Sequence, residues 1–339
     1  MTPSRPKSWP KRALAGLVVG GLVLAGTGIA FRSTVSTRYA SYRLRTAGDD
    51  AARTAALNTL LDLGDAGTDV VAGEFARDDE AACRLAAGCL RDRLATTPPA
   101  DPSYAAWSRP AFAGFATASA AGRAELLDLI PDLARGSDAG AACRNVVRTG
   151  LAADAPAGVK RAAVRQAHVV GLKADVVPLL ADADPAVRRA ALLAVGPAAD
   201  DGTTVATPEE LFRCLHDGDG EVRDLCAAAL ASRGLDLGQI SLARQLTHPD
   251  LAERLGLLGD LATGAAGVTD PGPWLERLSR DADPAVRLGA ARVAAESRLH
   301  FAGWVDTLAA ADADPTVRRW AGYYRDQAAA VRQSGAETR

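Results

Sequence analysis

Asp182-Ala-Asp-Pro-Ala-Val-Arg188 decides the fold, because it returns as Asp281-Ala-Asp-Pro-Ala-Val-Arg287 and as Asp312-Ala-Asp-Pro-Thr-Val-Arg318. Asp217-Gly-Asp-Gly-Glu-Val-Arg223 is a looser fourth copy. The intervals Asp78 to Arg84 and Asp138 to Arg144 keep only the acid-to-base spacing. In Leu246-Thr-His-Pro-Asp-Leu251 a proline and an apolar position survive, while the acid and the arginine read as lost. Starts at 182, 217, 246, 281 and 312 lie about 32 residues apart, room for two short helices and two turns.

The heptad is a helix start. Aspartate caps the free N–H groups of a first turn, and proline suits the first helical position because its missing N–H would be unpaired there. After Pro185 the apolar positions Val187, Ala190, Ala191, Ala194 and Val195 follow helical spacing. A preceding helix is predicted at residues 174–180, 208–216, 237–246, 273–279 and 300–310. No stretch alternates with period two, so the expected class is all-α, with antiparallel helix pairs stacked along 173–332 and a degenerate version over 49–172. Thr96-Thr-Pro-Pro-Ala-Asp-Pro102 reads either as a long inter-repeat loop or as a boundary between two blocks.

These heptads resemble the HEAT repeat in its short bacterial form, strongly over 173–332 and weakly over 49–172. The resemblance implies an α-solenoid, an ARM-type right-handed superhelix that serves as a binding scaffold. It also implies a structural ladder of the first acid and the arginine of each repeat: Asp182, Asp217, Asp281 and Asp312 with Arg188, Arg223, Arg287 and Arg318. The copies at 246 and 154 depart from that pattern. Some relatives of the repeat act as bilin lyases or as DNA glycosylases, which keeps an enzyme open as the alternative to a scaffold.

Charge divides the chain. Of 339 residues, 48% are hydrophobic, and 39 bases against 41 acids give a net of −2. Residues 1–45 hold eight bases (Arg5, Lys7, Lys11, Arg12, Arg32, Arg38, Arg43, Arg45) and no acid, which leaves the remainder at −10. An acidic body repels phosphate backbones and argues against nucleic acid. Within the leader, residues 13–31 form a nineteen-residue uncharged run that would span about 28 Å as a helix, near the ~30 Å hydrocarbon core. The expected layout is a basic tail at 1–12, one transmembrane helix or signal anchor at 13–31, a juxtamembrane helix at 32–48 and a disordered tail at 333–339. Four bases on each side leave the orientation tied. A short N-terminal tail favours a cytoplasmic start, hence a single-pass protein of the bacterial inner membrane with its body outside. Cleavage before Phe31, which would release a secreted protein, is the competing reading.

Chemistry-bearing patterns are sparse. The paired acids lack the sixth-position glycine and twelfth-position glutamate of a calcium loop. Cys83, Cys89, Cys143, Cys214 and Cys226 have no zinc spacing, and Cys83 and Cys143 take the place of the heptad valine as small apolar residues. Cys214 and Cys226 fall in paired helices of one repeat, which leaves a disulfide open. His168, His216, His248 and His300 sit in separate repeats, and no nucleophile or phosphate motif accompanies them. Neither a cofactor, a metal nor a catalytic residue is expected. Aromatic residues gather late: Trp274, then Trp304, Trp320, Tyr323 and Tyr324. They read either as partner-binding anchors or as rings sealing the last, unstacked helix pair. The resulting expectation is a membrane-anchored, non-enzymatic scaffold for a protein partner.

Overall fold

A computed structural model describes residues 34–136, 139–198, 203–297 and 303–337. The expected tail and span at 1–31, together with Asp138 and His300, lie outside the described residues. Among those described, every regular element is helical and no strand occurs. None of these helices is long and apolar enough to cross a membrane. The chain divides into two compact units, parting between Val176 and Val177.

The first unit contains α1 (34–46), α2 (Asp50–Leu61), α3 (Asp65–Glu74), α4 (Glu80–Thr96), α5 (Pro102–Ala113), α6 (Ala120–Leu127), α7 (Ile130–Leu133), α8 (Gly140–Gly150) and α9 (Ala157–Gln166). Side-chain oxygens of Asp49, Asp79, Asp101 and Ser119 cap α2, α4, α5 and α6. Residues 97–101 are thus a loop inside this unit, closed by the Asp101 cap with Pro102 in the first turn of α5. One row of helices packs α2 on α4, α4 on α6 and α6 on α9, while a second row packs α3 on α5 and α5 on α8. Fully buried Leu57, Leu60, Leu90, Leu94, Leu126 and Ile130 fill the space between the rows, each worth about 1.5–3 kcal/mol of burial. The entry to α6 is tight. A Cβ on Gly122 would lie 2.1 Å from the Phe75 carbonyl oxygen, which also accepts the Ser119 N–H at 2.9 Å.

The second unit begins within the 3-10 helix Lys173–Ala181 and continues through α10 (Pro185–Val195), α11 (Pro208–Cys214), α12 (Gly220–Ser232) and α13 (Leu237–Leu246). It then adds α14 (Leu251–Thr263), α15 (Gly272–Leu278), α16 (Pro284–Glu296), α17 (Trp304–Ala311) and α18 (Pro315–Glu337). Helix α18 therefore runs beyond residue 332. As the heptads require, Asp184, Asp283 and Asp314 accept the N–H two residues on, at 2.7, 2.8 and 2.6 Å, and Asp219 accepts from Val222 at 3.0 Å. Again two rows form. In one, α10 packs on α12, α14 on α16 and α16 on α18; in the other, α11 meets α13 and α13 meets α15. The first row has an interruption, because α12 and α14 make little contact and are joined through α13. Arg233 at the end of α12 donates to the Val195, Gly196 and Ala206 carbonyls at 3.0, 2.6 and 2.7 Å, tying α12 to the end of α10.

Candidate partner-binding surface

The ladder residues come together along the second unit, with a register the heptads alone did not show. Arg188 donates from Nε and Nη2 to both Asp217 oxygens at 2.6 Å. Its Nη1 donates to the Asp182 and Ala183 carbonyls of its own turn. Arg287 repeats this, reaching both Asp312 oxygens at 2.8 Å and the Asp281 and Ala282 carbonyls. Each arginine thus closes its own turn and grips the acid of the next repeat. Asp217, Asp281 and Asp312 also accept the N–H two residues on, each at 2.8 Å.

The copy at 246 is corrected. Its turn runs from His248 to Arg254, two residues later than read, so its arginine is present. Arg254 donates to the His248 and Pro249 carbonyls and pairs with Asp281 at 2.9 Å. His248 fills the acid position and its Nδ1 accepts the Asp250 N–H at 3.1 Å, reproducing the local turn. It offers no anion to Arg223, which is exposed and, among the described residues, donates to the Asp217 and Gly218 carbonyls. Counting six residues back from each arginine, instead of forward from each acid, would have found the rung. The missing carboxylate falls where α12 and α14 separate. There the His216 and His248 rings meet edge to face at 5.1 Å, and His216 Nε2 donates to the Arg244 carbonyl at 2.7 Å. Burial, helped by His248, holds the His216 imidazole below its ordinary value.

Electrostatics follow the rungs. Arg287 holds the Asp312 carboxyl below the usual carboxylate range. Burial alone would raise Asp217, and the Arg188 and Asp219 hydrogen bonds outweigh it, so that carboxyl is also lowered. Arg318 likewise donates to the Asp312 and Ala313 carbonyls of its own turn.

The late aromatics divide three ways. Trp304 and Tyr324 pack on the core of Ala291, Val305, Leu308, Val317 and Ala321. Trp320 and Tyr323 stand 37% and 53% exposed on α18, their rings 5.6 Å apart, with Arg319 over Trp320. Trp274 is buried elsewhere, stacked 6.4 Å from Phe212.

That stack floors an open groove of about 530 Å3 beside the starts of α11, α13 and α15, closed along one side by the Ala266–Asp270 loop. Arg277 covers both rings at 5.6 and 5.8 Å and is pinned by Glu209 at 2.9 Å. Burial pushes Glu209 up, and the Arg277 contact outweighs it to leave the carboxyl low. Asp236 and Asp270 add acidity to the rim while accepting backbone N–H groups of their own turns. An apolar floor with a fixed guanidinium and an acidic rim suits a side chain that is apolar along its length and cationic at its tip. Phe212 and Arg277 lie 65 residues apart in sequence and carried no motif.

All five cysteines are buried free thiols. Burial raises Cys83 and Cys89 and pushes Cys143 up to about 11. No group of three or more metal-ligating side chains occurs among the described residues.

No protein-family model matches the chain, and no curated protein does. Among solved structures, the crystal structure of an engineered protein aligns with 86% of this chain and 98% of its own, at 17% identity and a TM-score of 0.27. A likeness at that score carries no argument about fold or function.

Proposed function

We propose that this chain is a membrane-anchored HEAT-repeat scaffold that holds a protein partner without catalysing a reaction. Its helix pairs form an α-solenoid, a right-handed superhelix of the HEAT/ARM kind. Residues 13–31 anchor it in the bacterial inner membrane, with the body outside. The observation that carries this reading is the groove over Trp274 and Phe212, braced by successive repeats of the second unit. Arginine-to-aspartate rungs from turn to turn stiffen such a stack, and stiffness keeps a distributed surface pre-organised for a partner. The acidic rim disfavours a nucleic acid there and favours a segment carrying lysine or arginine.

Capture from detergent-solubilised membranes tests the scaffold. The wild-type chain is expected to bind a partner saturably, and Asp236→Asn combined with Asp270→Asn, which removes the anions of the rim, to weaken that binding while retaining its circular dichroism. A partner held equally by both forms would remove the groove from the reading; a clean monomer under all conditions would remove the scaffold. Reporters fused after residue 45 and at the C-terminus test the address. A cytoplasmic body would overturn the orientation, and a mature chain beginning near Phe31 would replace the anchor with a cleaved signal.

A further inference from the structure

We propose that Cys214 and Cys226 form a dithiol which an external disulfide oxidises, cross-linking α11 to α12. The inference is independent of the scaffold reading. Cys214 ends α11, and its Sγ lies 3.7 Å from the Glu210 carbonyl of that helix. Cys226 faces the same turn from α12, its Sγ donating to the Leu211 carbonyl at 2.9 Å. Both sulfurs therefore sit on one helical turn of α11, against adjacent carbonyls.

Access differs between the two. Cys226 is fully buried, whereas Cys214 is 5% exposed and borders an open groove of about 490 Å3 lined also by Pro178, Leu180, Arg188 and Arg213. The contact with Cys226 holds the Cys214 thiol below its ordinary value, against the effect of burial. The same contact, with burial, raises Cys226. A more acidic thiol at a mouth with a protonated one behind it is the order that exchange requires.

The chemistry balances. The Cys214 thiolate attacks a disulfide R–S–S–R′ in the groove, forming a mixed disulfide and expelling one thiolate. Cys226 then attacks the Cys214 sulfur, forming the internal bond and expelling the second. The two cysteine protons finish on the two released thiols, and the two electrons lost by the pair reduce the external disulfide. The closed loop encloses the turn that presents Asp217 to Arg188 and also contains Arg223. Oxidation thereby constrains one side of the interrupted rung.

The test uses the full-length reduced chain, exposed under native conditions to oxidised glutathione, quenched in acid, alkylated and digested with trypsin. Cleavage after Arg213, Arg223 and Arg233 leaves Cys214 and Cys226 on separate peptides with one cysteine each. The expected result is those two peptides joined, and separated by dithiothreitol, while Cys83, Cys89 and Cys143 are recovered alkylated. Cys226→Ser should hold glutathione stably on Cys214; Cys214→Ser should leave Cys226 unmodified. The oxidised wild-type chain should unfold at higher urea than the reduced one. The proposal is overturned if both peptides are recovered alkylated, if they join only after denaturation, or if Cys226 in Cys214→Ser takes glutathione as readily as Cys214 does.

Discussion

Replacing His248 with aspartate should complete the ladder and stabilise the protein. In the intact rungs the arginine side chains are 13–16% exposed and their acids 4–11%, whereas Arg223 is exposed and the next repeat carries a histidine at the acid position. An aspartate at 248 retains the turn bond now made by His248 Nδ1, because Asp217, Asp281 and Asp312 all make it. It adds an anion for the Nε edge of Arg223. Two charge-assisted hydrogen bonds, each at the low end of their range for a partly exposed pair, contribute roughly 3 kcal/mol. Ordering Arg223 costs about 1.5–2 kcal/mol, and dehydrating the new pair costs further. The net is about 1 kcal/mol. With a urea slope of about 2 kcal/mol/M, that shifts the unfolding midpoint upward by about 0.5 M. Tryptophan fluorescence of the full-length chain reads it. Pairing with Arg223→Gln isolates the interaction: the gain should vanish in that background. A midpoint unchanged or lowered by His248→Asp would refute the rung argument, and so would a gain that survives the loss of Arg223.

Asp312→Asn leaves Arg287 without its anion and should cost about 3 kcal/mol at neutral pH. Because the folded Asp312 carboxyl lies below its unfolded value of 3.8, its stabilisation is fully present above that pH and is lost as pH falls through the folded value. The difference between wild type and Asp312→Asn should accordingly shrink below pH 3.8, as urea midpoints across an acid series would show. Gly122→Ala pushes a methyl into the Phe75 carbonyl and should destabilise the first unit by about 1–3 kcal/mol; an unchanged midpoint would mean α6 can shift freely. Trp320→Ala combined with Tyr323→Ala should cost only about 1–2 kcal/mol, since the rings are 37% and 53% exposed. Any loss of partner capture in that variant would then report on binding.

The helix pairs were legible wherever the signal is local. Asp184-Pro185, Asp283-Pro284 and Asp314-Pro315 each specify a cap within three residues, and each caps a helix. The break at 96–102 was legible too, though only the structure shows it as a loop closed by the Asp101 cap. The groove was not legible, because Phe212, Trp274 and Arg277 converge from two repeats whose spacing encodes no pairing. The rung at 248 was obscured for a related reason: a histidine can replace the turn-forming acceptor of an aspartate while lacking its charge.

By itself, then, the sequence determined the helical class, the repeat period, the cap of each second helix and the separation of a basic leader from an acidic body. Those properties depend on neighbours a few residues apart or on sums over the chain. Only the tertiary structure decided which arginine meets which acid, that α12 and α14 separate where His248 interrupts the ladder, and that Cys226 packs against the turn of α11 that ends in Cys214. Such contacts join residues from different helices. Their geometry is set by how side chains of unequal volume and charge pack, which no periodicity records.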